Sequence, residues 1–578
     1  MAGSYTAPLY PYQRSADQAR WLAQGQGGEA ARHPLVIIGA GPVGLTLALD
    51  CAARGLPVLL LDDNNRVSEG SRAVCYAKRS LEILDRLGVA PALLARGVRW
   101  QVGKVFHGQG LAYRFDLLPE AHHKLPAMIN LQQYHLEEAL VAACQAQPRI
   151  DLRWRHQVVA QREASGDEPA GVQLTVRTPD GDFPLWADWV VACDGARSQT
   201  RERMGLGFEG QAFQDRFLIA DVRLSPRAPA TDPTASATAA QGLGHGLGQL
   251  PERWFWFDPP FHPGQSVLLH QQADQVWRID FQLGWEADPE HEKQPERVLP
   301  RIRAMLGPAW NIELEWVSVY QFACRRMARF RHGRVLFAGD AAHQVSPFGA
   351  RGANSGIQDA ENLAWKLAAV WQGEADDALL DSYDQERTAA ADANIGHSSR
   401  ATDFITPKSG VSRLLRDAVL QLAREQPFAR PLVNSGRLST ATPYPDSRLN
   451  TPDPQPCAQP FDSPLAPGTV CADAPLRRQG RPAWLLETLG QGFVLLGFGE
   501  PQALQAALQG LDLPGLAMLL QGRDFEDSEG LLARRYDARP GTCYLIRPDQ
   551  HVAGRWRRPH PAAIAQAWRR ALGRPEEA

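Results

Sequence analysis

The chain has 578 residues, too long for one compact core, so roughly two to four domains are expected. It is 44% hydrophobic and 22% charged with a formal net charge of −3, which argues against nucleic acid or an anionic membrane surface as a partner. Its eight cysteines include no C-x-x-C pair and no metal-ligand spacing with His, so neither a disulfide framework nor a metal site is expected.

Residues 1–33 are polar and mixed without a clear period, and read as an arm over the next domain or over a partner subunit of a homo-oligomer. They contain no basic stretch leading into an apolar run. The apolar stretch 35–49 is too short to span a membrane and is interrupted by Gly and Pro, so a cytoplasmic protein is expected. An apolar strand (35–38) meets a glycine turn at Gly39, Gly41 and Gly44, with Pro42 and Val43 between the last two. A helix-period segment follows, closed by Gly55, and a second apolar strand (58–61) ends in Asp62 and Asp63. Strand, glycine turn, helix, strand and acid make the βαβ unit that binds a dinucleotide. Gly39 permits the tight turn, Gly41 lets the backbone approach a pyrophosphate, and Gly44 lets helix and strand pack closely. Asp62, 23 residues beyond Gly39, stands where a carboxylate accepts ribose hydroxyls.

Further along, 71–89 reads as a loop entering a helix that Gly88 ends, 105–116 as a hairpin, and the segment from Asn130 as a helix. Strands are expected at 151–160, 172–178 and 185–193, the last running into Asp194-Gly195. The section 216–320 is rich in strand signals and is interrupted at 225–248 by a Pro/Ala/Thr/Gly stretch read as flexible surface. Another buried strand ends in Gly339-Asp340, and a long helix is expected from about 353 to 372. Residues 448–468 are Pro-rich and read as a linker.

Three motifs now stand in order: the glycine turn, CDGARSQTR at 193–201, and GDAAHQVSPFGARGANSGIQDAENLAWKL at 339–367. Together they resemble the single-component FAD-dependent aromatic hydroxylases of the para-hydroxybenzoate hydroxylase fold. Within that group the chain is most similar to 3-(3-hydroxyphenyl)propionate hydroxylase-like and phenol-hydroxylase-like members. The resemblance covers roughly 34–400, with a weaker match beyond.

It implies an α/β fold: an FAD-binding Rossmann-type domain (34–204 and 325–405) interleaved with a β-sheet substrate domain (205–324, with 100–125). A helical segment and linker (406–468) would then lead to a thioredoxin-like domain (469–578) that lacks redox cysteines. It also implies cofactor contacts. Gly39, Gly41, Pro42, Val43, Gly44, Asp62 and Asp63 would hold the ADP half of FAD, Arg72 the pyrophosphate, and Gln133 the ribityl chain or phosphate. Asp194 and Gly195 would lie over the pyrophosphate, and Gly339-Asp340 would meet the ribityl hydroxyls. Pro347 and the backbone of Gly352, Ala353 and Asn354 would line the flavin ring, with helix-start amides favouring negative charge there.

Two departures stand out. The family's G-G-x-G-x-N segment has Ala350 for its second glycine, which stiffens the loop or narrows the approach to the ring. The acid after the second strand is Asp62 where Glu is common. The implied activity is hydroxylation of a small phenolic or related aromatic compound through a flavin hydroperoxide, using dioxygen and NADH or NADPH as transient co-substrate. Epoxidation, Baeyer–Villiger insertion, oxidative decarboxylation and a non-catalytic flavin-binding role are the alternatives. Phenol-activating candidates are Tyr76, His107, Tyr113, His270, Gln272 and Tyr320. None is assigned, because the position where some members carry a catalytic His is Val74. The run 254–259 resembles the W-x-W-x-I-P signature of flavin-dependent halogenases, but Asp258 replaces its Ile and no matching Lys is found. Trp254 and Trp256 alternate with Phe255 and Phe257, so one face would wall an aromatic pocket or simply pack in the core.

Overall fold

A computed structural model describes residues 5–25, 28–70, 72–166, 168–227, 251–433, 440–453 and 459–574. The Pro/Ala/Thr/Gly stretch read as flexible therefore lies, from residue 228 on, outside the described residues.

The strand Ala31–Ile38 pairs in parallel with Gly181–Ala192 on one side and Val58–Asp62 on the other. Val335–Phe337 and Ile150–Trp154 extend this parallel core. Its strands are buried on both faces, which is why they read as continuous apolar runs. Helices Pro42–Ala53 and Gly352–Trp371 pack on one another beside it. The expected strand 151–160 is two strands, Ile150–Trp154 and Gln157–Glu163, broken at Arg155, whose φ of 58° ends extended pairing. The second of them joins the antiparallel flap with Val172–Thr178.

The arm contains a helix, Ala16–Gln24, started by the Ser15 side chain accepting from the Gln18 amide. The arm lies against the first sheet and its helix Gln133–Gln145: Tyr5 stacks on Tyr134 at 3.7 Å, Tyr10 on Trp154 at 4.6 Å, and Arg153 donates to Asp17 at 2.6 Å.

The second sheet has eight strands, in the order His343–Gln344, Trp310–Arg326, Glu209–Pro226, Val276–Leu283, Ser266–Gln271, Arg253–Phe257, Val102–His107 and Gly110–Asp116. Period-2 alternation gives it two unlike faces. Leu218, Ala220, Trp254, Trp256, Leu269, Ile279 and Phe281 form an apolar layer under Val298, Ile302, Met305 and Leu306 of the helix Pro295–Leu306. That helix lies in a section expected to be strand. Its apolar residues recur at helical spacing, and Pro300 interrupts the pattern from within. Phe255 and Phe257 point the other way, into a cluster with Ile405 and Phe404, so the alternating aromatics pack both faces.

The C-terminal region holds a four-stranded sheet in the order Leu516–Leu520, Phe493–Gly497, Cys543–Ile546, Val552–Trp556. The last two strands form the hairpin around Pro548-Asp549. Cys471 and Cys543 are buried and their thiols are pushed up to about 12 by burial, so neither is a ready nucleophile. The chain leading into this region is anchored: Tyr444 accepts from Arg387, Ser447 donates to Glu386, and Arg555 holds Asp453. Among the described residues no helix is long and apolar enough to cross a membrane.

Candidate active site

One cavity of about 1020 Å³ runs from the glycine turn to the polar face of the second sheet. At the first end Gly39 has φ +107°, and a Cβ there would stand 2.6 Å from the Cys193 carbonyl oxygen, so the crossing of turn and strand requires glycine. A Cβ at Gly41 meets nothing within 4 Å, so the backbone there is open to the cavity. The helix Pro42–Ala53 begins at Gly41 without a side-chain cap, and its first amides are left for a ligand. Asp62 accepts from the amides of Ala40 at 2.6 Å and Asn64 at 2.8 Å, and burial pushes its carboxyl up to about 6.

In the middle, Arg72 is exposed to the cavity. Gln133 accepts from the Ala73 amide at 2.9 Å and donates to Glu137 at 2.7 Å, which fixes the amide against the wall. Asp194 accepts from the Thr200 amide through Oδ2, while its buried Oδ1 has no partner. Asp340 is exposed to the cavity, and the desolvation imposed by the surrounding protein raises its carboxyl above the usual range. A network behind it holds the turn. Asp359 accepts from the Gly339 amide at 2.9 Å, contacts His343 at 2.7 Å and accepts from Arg387 at 2.5 Å.

The 347–354 loop closes the far side. Asn354 clamps it: its amide donates to the carbonyls of Cys75 and Ala350, and its Oδ1 accepts from the Ala77 amide. Ala350 sits at φ 53°, a left-handed conformation that glycine adopts without cost, so the family's second glycine is replaced here at the expense of strain.

Of the residues implied for the cofactor, Gly39, Gly41, Pro42, Val43, Asp62, Asp63, Arg72, Gln133, Asp194, Gly195, Asp340, Pro347, Gly352, Ala353 and Asn354 line this cavity. Gly44 and Gly339 do not: a Cβ on Gly44 would meet the Gly39 carbonyl and one on Gly339 would meet Val43, so both serve close packing. Of the six phenol-activating candidates, His270 and Tyr320 line the wall. Tyr76 is buried with its hydroxyl donating to the Ala73 carbonyl, and Gln272 is buried against Asp221. His107 lies 3.7 Å from Asp417 at the sheet's far strands, and Tyr113 sits in the core beside Phe115.

The sheet wall carries groups that the sequence did not single out: Arg253, Arg278 and Asp280, with Asp221 beside them. Cross-strand register aligns His270, Arg278 and Asp221 in one row, and Leu268, Asp280 and Ile219 in the next. Arg278 holds Asp221 through two nitrogens at 2.8 and 3.0 Å. His270 is kept neutral by burial and by Arg253 and Arg278, and burial holds Tyr320 protonated. Burial pushes Asp280 up to about 6 against the pull of Arg278.

The fit to FAD rests on this geometry: an uncapped helix start beside a backbone that no Cβ obstructs, the Asp62 carboxylate at the end of the adjacent strand, and an unpartnered buried Asp194 oxygen. A dinucleotide cleft that opens onto the polar face of a second sheet defines a two-part flavoprotein. The chain belongs to the FAD binding domain family, whose model matches residues 32–398, and residues 464–575 match the aromatic-ring hydroxylase C-terminal family. It is 29% identical over 541 residues to a 3-(3-hydroxy-phenyl)propionate/3-hydroxycinnamic acid hydroxylase of Mycolicibacterium smegmatis, covering 90% of each chain. It is 31% identical to a 6-methylpretetramide 4-monooxygenase of Streptomyces rimosus, covering 92% of each. The crystal structure of the flavin-dependent monooxygenase PieE, in complex with FAD and substrate, superposes with a TM-score of 0.77 at 22% identity, covering 95% of this chain and 100% of that one. The protein is an FAD-dependent oxidoreductase of the monooxygenase class.

Proposed function

We propose that the protein hydroxylates a small phenolic ring, with FAD along the cleft from Gly39 to Asn354 and the ring held against the sheet wall. The observation that carries this reading is the single continuous cavity joining the glycine turn to His270, Asp280 and Tyr320. When bound, FAD takes two electrons from NAD(P)H and delivers one oxygen atom of dioxygen.

The chain's own residues do the rest. Asp62 accepts the adenosine ribose hydroxyls, the amides after Gly41 and the Arg72 guanidinium meet the pyrophosphate, and Asp340 accepts from the ribityl chain. The amides that start the helix Gly352–Trp371 favour negative charge on the ring. Apolar Val74, Ile219, Leu268 and Phe348 keep water from the ring face, and the Tyr320 hydroxyl stays protonated as a donor. Carboxylate-bearing substrates named for relatives find a complement in Arg253, which lies over the Trp100 ring at the cavity wall.

Purified protein is expected to be yellow and to oxidise NAD(P)H faster when a phenol such as 3-(3-hydroxyphenyl)propionate is added. Colourless protein that gains no activity with added FAD overturns the reading. Asp340→Ala is expected to lose flavin on gel filtration with affinity down roughly 10- to 100-fold, the worth of one or two charge-assisted hydrogen bonds. Full occupancy in the variant removes Asp340 from the ribityl role.

A further inference from the structure

Resting on that reading, we propose that Asp280 is the catalytic base that takes the phenolic proton of the substrate as the ring carbon acquires oxygen. Asp280 is on the strand Val276–Leu283, where Ile279 and Phe281 turn into the apolar layer and Arg278 and Asp280 turn to the cavity. Its neighbours across the sheet, Ile219 and Leu268, are apolar, and its buried Oδ1 has no hydrogen-bond partner. A buried carboxylate oxygen left without a donor is costly unless a ligand supplies one, and a phenol hydroxyl is such a donor.

Elimination among the wall's other groups leads to the same residue. Asp221 is committed to Arg278, and Arg278 and Arg253 have no proton to accept. Tyr320 is held protonated, so its hydroxyl hydrogen-bonds a phenol but is no base for it. His270 has a free Nε2, but burial between Arg253 and Arg278 makes it a far weaker base than usual. The titratable and charged groups that bear on Asp280 are Arg278 on its own strand, Asp221 and Arg253 on other strands of the sheet, the Tyr320 hydroxyl, and the Cys75 thiol across the cavity. Burial outweighs the pull of the two arginines and pushes the carboxyl up to about 6, ionised at neutral pH and within the range where a general base is effective.

The step balances as follows. The phenol O–H bond breaks, its proton goes to the Asp280 carboxylate, and its electron pair becomes the ring C=O. The displaced ring pair forms the new C–O bond to one oxygen atom of dioxygen as the O–O bond breaks; the other oxygen leaves as water with a proton from solvent, and NAD(P)H supplies the two electrons. The C–H proton at that carbon then leaves to solvent, its pair restores the ring, and Asp280 returns its proton to the carbonyl oxygen.

The test compares FAD-loaded wild type with Asp280→Asn and Asp280→Glu, each first checked for equal flavin content and melting temperature. Hydroxylation of 3-(3-hydroxyphenyl)propionate is followed from pH 6 to 10. Asp280→Asn is expected to slow turnover roughly 100-fold or more near pH 7, and to recover as the phenol ionises unaided. Asp280→Glu is expected to restore part of the rate at neutral pH. As a readout independent of turnover, p-nitrophenol is bound to oxidised protein and its phenolate absorbance titrated. The bound phenol should ionise at lower pH in Asp280→Asn than in wild type, because the wild-type carboxylate opposes a second negative charge. An unchanged pH–rate profile, a loss that is uniform at every pH, or identical phenol titrations overturn the proposal. Wild type that hydroxylates no phenol overturns instead the function on which it rests.

Discussion

Replacing Glu386 with alanine should lower stability by about 3–5 kcal/mol, the cost of leaving buried charge without its partner. Glu386, on the helix Asp381–Ile405, is fully enclosed. It accepts from Arg547 at 2.6 and 3.0 Å, from Lys366 at 2.7 Å and from Asn362 at 2.7 Å. Arg547 also grips Asp549 in the turn of the C-terminal hairpin, while Lys366 and Asn362 lie on the helix whose start closes the cavity. One carboxylate thus ties three parts of the chain together. Arg547 and Lys366 are both fully buried, so removing Glu386 strands the Lys366 ammonium and leaves Arg547 with Asp549 alone. The pKa directions agree. Arg547 and Lys366 hold Glu386 well below the usual carboxylate range, whereas burial and Arg547 bring Lys366 down to about 8 despite Glu386. Because the folded carboxyl is depressed, its stabilisation is present above the unfolded value near 4.5 and fades as pH falls below it. Thermal melts near pH 7 should therefore show a large drop for Glu386→Ala, shrinking in acid. A Glu386→Ala, Lys366→Met double variant should lose less than the single one. A single variant that melts like wild type would contradict this account of how the C-terminal region is held.

Gly39→Ala should abolish retention of FAD, with affinity reduced by roughly 100-fold or more. The added Cβ would lie 2.6 Å from the Cys193 carbonyl oxygen and 2.8 Å from its carbon, backbone atoms of the residue that directly follows the strand Gly181–Ala192 and whose amide donates to the Ile38 carbonyl of the strand Ala31–Ile38. Neither strand can give way, because each is hydrogen-bonded within the parallel core. The φ of +107° adds a conformational cost on the order of 1–3 kcal/mol for any residue with a side chain. The displaced turn would carry Ala40 away from Asp62 and misdirect the amides that follow Gly41. Flavin absorbance after gel filtration checks it, with circular dichroism to separate a lost cofactor from a lost fold. Yellow, fully loaded Gly39→Ala protein would sink the assignment of this turn.

These two cases show what the sequence could and could not disclose. The glycine turn, Asp194-Gly195 and Gly339-Asp340 are local: each chemistry needs certain residues at fixed spacing within a few positions, so a linear reading finds them. The sheet wall is assembled by pairing. Arg253, His270, Arg278, Asp280 and Tyr320 come from four strands and meet only through cross-strand register. One signal was present in Val276–Leu283, where Arg278 and Asp280 alternate with Ile279 and Phe281. Charged residues in a strand lying mid-sheet are costly unless they face a cavity or a partner. Tyr76, Tyr113 and His107 drew notice by residue type alone, and the fold commits each of them to packing or to the surface of another element. The strain at Ala350 was legible only as a departure from the family's segment. Its left-handed φ gives that departure its physical content.

The most direct test of the central claim is single-turnover reaction of the FAD-loaded, NAD(P)H-reduced protein with isotopically heavy dioxygen and a phenol. The product is then weighed by mass spectrometry. The account predicts one heavy oxygen atom on the aromatic ring per flavin oxidised. Flavin oxidation that leaves the phenol unchanged, or a product whose new oxygen comes from water, would contradict it.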